Sequence, residues 1–307
     1  MVKRIVFGVV MAAAALAVIW LEYFISRTGP SAETSNEFLL GLPTLAVLAA
    51  LLVVGFFEIG GMARFAGTRL LTPMGIAGTL LIVAWPKLVL LARQAAELQN
   101  ESSFIGSILR GIDGSFLLLV GLVIGGVFLN QMVTRRAEGA LLRIASTLLA
   151  VTYLGVGGAM VLSLRLDYGL GTLLVFLGAV KLTDVGAYFV GSLLGKHKLV
   201  PWLSPGKSWE GLLGGLVTAA AAGLAVCGVR NQFAWMSLPL ANGEVIAFCL
   251  ILGLAGQFGD LCESLLKRSA GVKDAGNLVP QFGGVLDILD SLLIAAPVAH
   301  VLLLILA

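Results

Sequence analysis

The chain has 307 residues, 59% of them hydrophobic and only 12% charged, with a mean hydropathy of +1.01; soluble domains carry roughly 25% charged residues, so an ordinary soluble fold is excluded. The formal net charge of +3 comes without a basic stripe interleaved with aromatics, which leaves nucleic-acid binding without support. Cys227, Cys249 and Cys262 lie in or beside apolar runs with no C-x-x-C spacing, so neither a disulfide framework nor a zinc site is indicated.

The useful unit is an apolar run of about 20 residues, enough to cross the hydrocarbon of a bilayer. Lys3 and Arg4 precede such a run, Ile5 to Ile25, which ends in Glu22-Tyr23-Phe24 rather than a small-residue cleavage site and reads as a retained first span. A polar, Pro-containing loop (26–37) follows. Further spans are expected at 38–57, 74–92, 115–133, 140–163, 169–191, 211–229, 244–262 and 285–306. The fold class is therefore all-α, polytopic, with about nine transmembrane helices.

Alternating the loops puts Lys3, Arg4, Arg64, Arg69, Arg135, Arg136, Arg143, Lys196, Lys198, Lys207, Lys267, Arg268 and Lys273 on one side. Arg27, Arg93, Arg110, Arg165 and Arg230 fall on the other. That bias predicts a cytoplasmic N-terminus. Pro86 and Lys87 interrupt the third span, with Lys87 expected to snorkel toward the interface. Gly121/Gly125, Gly191/Gly195 and Gly211/Gly215 are spaced for close helix packing. Residues 1–165 have no acid inside a span except near helix ends, and are expected to form a scaffold with a candidate homodimer surface.

Residues 166–307 differ, and are expected to be the catalytic half, with cytoplasmic loops at 192–210 and 263–284. Lys181 and Asp184 stand one helical step apart inside an apolar span, at a cost of roughly 2.5–3.5 kcal/mol each unless paired or wetted. Either a buried ion pair or a polar cavity open to the cytoplasm fits, and Asp184 and Tyr188 lie toward that end of the helix. The following loop, GKHKLVPWLSPGKSWEG, offers Lys196, Lys198, Lys207, Ser204, Ser208 and glycines, donors suited to phosphate oxygens. It is not a P-loop, because GxxxxGK[ST] is absent.

The charge concentrates in residues 256–291. Asp260, Glu263, Asp274, Asp287 and Asp290 are drawn from only 17 Asp and Glu in the chain. On a helix, Asp260, Glu263, Ser264, Lys267 and Arg268 share one face, and Asp287 and Asp290 are again i, i+3 at the start of the last span. Two carboxylates about 5 Å apart repel by roughly 3 kcal/mol at an effective dielectric of about 20, so bringing Asp260, Asp287 and Asp290 together calls for a cation. Mg²⁺ is expected, with a second cation left open. Lys267, Arg268 and Lys273 add bases for phosphate, the inventory of phosphoryl or nucleotidyl transfer.

The segment S-L-L-K-R-x₄-K-D-x₅-P-x-x-G-G-x-x-D-x-x-D (264–290) resembles the signature of phosphatidate cytidylyltransferases, the CDP-diacylglycerol synthases. G-Q-x-G-D-L-x-E-S (256–264), D-x-x-A-Y-F-x-G (184–191) and S-P-x-K-S-x-E-G (204–211) look like blocks of the same family. The resemblance covers about residues 175–295. It implies that CTP and phosphatidate react to CDP-diacylglycerol and pyrophosphate at the cytoplasmic face of the inner (plasma) membrane. It also implies metal binding by Asp260 and Asp287, with Asp290 as the last acid, and catalytic roles for Lys267, Arg268, Lys273 and Asp274. Substrate contacts are expected from Asp184, Tyr188, Ser204, Lys207, Ser208, Glu210, Glu263 and Ser264. The chain departs from the family pattern at Gln281, Phe282 and Ile288, where glycine, histidine and arginine are usual, and loses a hydrogen-bonding group and a permanent cation. Alternatives are a CTP-dependent polyprenol or phytol kinase, a cytidylyltransferase for another lipid phosphate, and, from another class, a secondary transporter.

Overall fold

The computed structural model describes residues 17–18, 20–24, 39–97, 115–134, 137–232, 238–276 and 283–306. Most of the expected first span lies outside the described residues, as do Lys3, Arg4, Arg27, Arg110, Arg135, Arg136, Gln281 and Phe282. Among the described residues, seven helices are long and apolar enough to cross a membrane. The protein is an all-α polytopic membrane protein. It divides into two compact units, Met1–Leu166 and Asp167–Ala307.

The first unit holds α1 (Leu42–Phe65), α2 (Thr72–Glu97), α3 (Phe116–Val133) and the beginning of α4 (Ala140–Leu194). Phe56 of α1 and Val123 of α3 fill space left by Gly75 and Gly78 of α2. Gly121 and Gly125, expected to pack a neighbouring helix, face open space instead, with no atom within 4 Å of where a Cβ would stand.

Two charges expected at boundaries are buried. Lys87 does not snorkel: it is 2% exposed and donates to the Leu40 carbonyl at 2.8 Å. Arg165, expected in a loop, lies inside α4, its guanidinium 3.0 Å from Glu22 Oε2. Thr44 donates to the same carboxylate through its amide (3.0 Å) and its hydroxyl (2.8 Å). A charge can remain in the interior when it is both paired and hydrogen-bonded. Because α1 runs to Phe65 rather than 57, Glu58 is also a buried residue within a helix.

α4 carries a left-handed, non-helical residue at Gly169 (φ 86°, ψ 177°), the first residue of the second of the two spans expected there. A straight helix of its 55 residues would run about 80 Å, far beyond one bilayer crossing. The second unit continues with a short antiparallel ribbon, β1 (Lys198–Val200) and β2 (Ser204–Ser208), inside the basic loop. Then come α5 (Trp209–Val229), α6 (Asn242–Ser269) and α7 (Leu286–Leu306). α6 packs against both α5 and α7. It extends past the expected end at 262, so Glu263, Ser264, Lys267 and Arg268 are helical. Gly271 (φ 69°) stops it: the Gly271 and Val272 amides donate to the carbonyls of Arg268 and Lys267. This is the paired-bond ending that a left-handed glycine permits.

Candidate active site

Within the second unit, five segments surround one cavity of about 730 Å³, α5 contributing Gly211 and Leu212. α4 contributes Asp184 and Tyr188, and the ribbon contributes Lys198, Ser204, Lys207 and Ser208. α6 contributes Gln257, Asp260, Glu263 and Lys267, and α7 contributes Asp287 and Asp290. The α6 residues recur at three- and four-residue steps and so occupy one stripe of the helix. The stripe meets α7 closely because residue 259 is glycine: a Cβ there would lie 2.7 Å from the Asp290 carbonyl oxygen.

That contact gathers acids. One oxygen from each of Asp260, Glu263 and Asp290 lies within 4.8 Å of the others. Glu263 and Asp290 are buried, while Asp260 is partly open to the cavity. Lys267 forms an ion pair with Glu263 and donates to Asp287 Oδ1 at 2.6 Å. Lys267 covers Glu263 Oε2, and among the described residues the shielded Oε1 receives no hydrogen bond and is left for a further cation. A buried carboxylate in that state is costly without a nearby cation, and an all-oxygen donor set suits a hard divalent ion. The three acids therefore fit Mg²⁺.

Asp287 is engaged differently. Its Oδ2 accepts from the Gly284 amide at 2.6 Å and the Ala275 amide at 3.2 Å. The carboxylate thus joins the turn after α6 to the start of α7, with Lys267 on its other oxygen.

On the opposite wall, Lys181 and Asp184 form both arrangements left open by the sequence. They pair at 3.3 Å, each about one-third exposed, and Asp184 faces the cavity. Gln257 Nε2 donates to Asp184 Oδ1 at 2.9 Å, and Lys181 donates to Ser291 Oγ at 2.6 Å. Lys207 bridges the ribbon to α6, its ammonium 2.8 Å from Asp260 Oδ2 and 2.9 Å from the Gln257 carbonyl.

A family model for cytidylyltransferases matches residues 34–306. The chain belongs to the cytidylyltransferase family. It is 35% identical over 177 residues to a phosphatidate cytidylyltransferase of Staphylococcus saprophyticus, and 37% identical over 179 residues to that of Staphylococcus aureus strain COL. Each match takes in 58% of this chain and 65% of the relative's length.

In this cytidylyltransferase-family chain, several residues expected at the site are turned to structural partners. Ser208 caps α5, its hydroxyl accepting from the Gly211 amide at 3.1 Å. Glu210 accepts from the Lys196 and His197 amides and stands 2.6 Å from His197 Nδ1. Ser264 donates to Asp260 Oδ1 at 3.5 Å. Arg268 holds the Leu203 and Val272 carbonyls at 3.3 and 3.2 Å. Lys273 and Asp274 are exposed in the turn beyond α6 and do not line the cavity, and neither does the half-buried Ile288. Sequence reading missed Gln257 and Ser291. Their signal was a polar residue within an apolar span, one turn before Asp260 and next to Asp290.

Proposed function

We propose that this chain is a membrane nucleotidyltransferase that converts CTP and phosphatidate into CDP-diacylglycerol and pyrophosphate. One observation carries the reading: three carboxylates meet Lys207 and Lys267 in a single cavity of about 730 Å³, a volume in the range of small-molecule sites. The names of the matched relatives support the same substrates.

In this reading an oxygen of the lipid phosphomonoester bonds to the α-phosphorus of CTP. The bond from that phosphorus to the bridging oxygen breaks, and pyrophosphate leaves with the oxygen. The phosphomonoester is largely dianionic near neutral pH, since its second pKa is about 6, so no residue has to remove a proton. Asp260, Glu263 and Asp290 would hold Mg²⁺, which when bound neutralises charge on polyphosphate oxygens. Lys198, Lys207 and Lys267 offset the negative charge that collects on the transferring and leaving groups. Asp287 keeps Lys267 aimed, and Arg268 fixes the ribbon to α6. Lys273 would meet polyphosphate from the exposed turn beyond α6, with Asp274 beside it. Gln257 and Ser291 orient Asp184 and Lys181 on the wall where the lipid phosphate binds. Residues 1–165 act as scaffold. The Lys and Arg bias supports a site on the cytoplasmic face of the plasma membrane, with the lipid entering from the inner leaflet.

The test is direct. Purified protein given labelled CTP, phosphatidate and Mg²⁺ forms labelled CDP-lipid, separable by thin-layer chromatography. A phosphorylated alcohol as product, or no nucleotide transfer to any of a panel of lipid phosphates, overturns the reading.

A further inference from the structure

The first unit holds a second concentration of charge that this chemistry does not use. The α1–α2 turn and the start of α4 are joined by a hydrogen bond from the Leu71 amide to Thr147 Oγ1 at 3.0 Å, and Thr147 in turn donates to the Arg143 carbonyl at 2.7 Å. The join brings Arg143 to the same cavity as Arg69, a space of about 450 Å³ that Gly67 and Gly139 also line. A second space of about 370 Å³ lies between Arg69 and Arg64.

Among the described residues, no acidic residue lines either space, and no carboxylate pairs with Arg64, Arg69 or Arg143. Arg69 lines both spaces, with Arg143 beside one and Arg64 beside the other, so an anion seated in either meets two cations at once. Guanidinium forks match phosphate oxygens in pairs. Neither Gly67 nor Gly139 would have a neighbour within 4 Å of an added Cβ, so the backbone between the arginines stays open.

The surroundings decide the source of the phosphate. Arg64 lies in the last turn of α1 and Arg143 in the first turn of α4, at the ends of two apolar spans. Phe57 and Leu142 line the two spaces and are 55% and 63% exposed. Basic groups at a span end beside exposed apolar side chains match a charged headgroup with its acyl chains alongside. We propose that this face of the first unit binds an anionic phospholipid through its headgroup phosphate, with Arg69 and Arg143 as the phosphate ligands and Arg64 at the edge. The site is independent of the cytidylyltransferase reading and takes a lipid that is not consumed.

The experiment compares thermal unfolding of the full purified chain in neutral detergent with added phosphatidylglycerol, phosphatidylcholine or inorganic phosphate. Phosphatidylglycerol raises Tm by several degrees, and the other two do not. The double variant Arg69→Gln/Arg143→Gln loses most of that rise, while Arg93→Gln, which removes a like charge at the far end of α2, keeps it. An equal rise with phosphatidylcholine, a rise with phosphate alone, or an undiminished rise in the double variant overturns the proposal. If the double variant does not fold, photoactivatable phosphatidylglycerol on the wild-type chain gives the answer. Adducts within 57–72 and 139–143 support the site, and adducts confined elsewhere overturn it.

Discussion

Gly259 faces the backbone of Asp290 so closely that a Cβ on it would stand 2.7 Å from the Asp290 carbonyl oxygen and 2.9 Å from Ser291 Cα. Backbone cannot rotate aside as a side-chain tip can, so any larger residue at 259 must part α6 from α7. The contact lies between Asp260 and Asp290, two of the three clustered acids. Gly259→Ala is expected to cost about 1–3 kcal/mol through overpacking. CDP-lipid synthesis should fall about 10- to 100-fold, since a displacement of roughly 1 Å costs that much in a positioned site. Gly121→Ala, facing open space, should leave both Tm and rate near wild type. Equal effects from the two substitutions would remove this account.

Asp287 and Asp290 stand one helical step apart, yet their surroundings predict different defects. Asp290 belongs to the acid cluster, whereas Asp287 is held by Lys267 and two backbone amides. Asp290→Asn should raise the Mg²⁺ concentration needed for half-maximal activity about tenfold or more, because ligation needs the charge. Asp287→Ala should instead lower stability by about 1–2 kcal/mol, the scale of a lost helix-start acceptor, with a smaller change in Mg²⁺ requirement. Titrating activity against Mg²⁺ and measuring Tm for both variants separates the roles. The reverse pattern would return Asp287 to the metal site.

The acid-rich segment and its helical stripe were legible in the sequence because charge inside apolar spans is costly and therefore conspicuous. The C-terminal end of α6 was harder to place. Hydropathy falls at Glu263, but the helix continues to Ser269 because Lys267 is buried against Glu263 and Asp287, and termination waits for Gly271. Periodicity alone also could not say which carboxylate meets which. Glu263 replaces Asp287 in the closest acid trio through the approach at Gly259, a tertiary contact with no local signature. Lys87 and Arg165 were misjudged for the same reason: their partners, Leu40 and Glu22, are distant in the chain.

The Glu22–Arg165 pair predicts a stability defect without a catalytic one. Both residues are almost wholly shielded, and the carboxylate takes guanidinium bonds at 3.0 and 3.2 Å. Removing one member of a buried pair leaves the other charge poorly compensated, at a cost of about 3–5 kcal/mol. Glu22→Gln should therefore lower the Tm of the purified protein substantially while CTP turnover at a permissive temperature stays near wild type. An unchanged Tm would mean that the pair contributes no net stability.

Lys207 tests whether the basic loop handles polyphosphate or only sets membrane topology. Its ammonium lies in the cavity between Asp260 Oδ2 and the Gln257 carbonyl, whereas Lys196 is exposed and outside the lining. A loop that acted only through its net positive charge would respond equally to loss of either lysine. Lys207→Gln removes a cation from the acid cluster and unties β2 from α6. KM for CTP should rise about tenfold or more, roughly 1.4 kcal/mol of lost binding, and kcat should fall as Asp260 loses its partner. Lys196→Gln should change neither parameter by more than about twofold, as for a surface charge with weak interactions. Steady-state kinetics on the two variants, with CTP varied at saturating phosphatidate, decide between the roles. Matching values for both would assign the loop to topology alone.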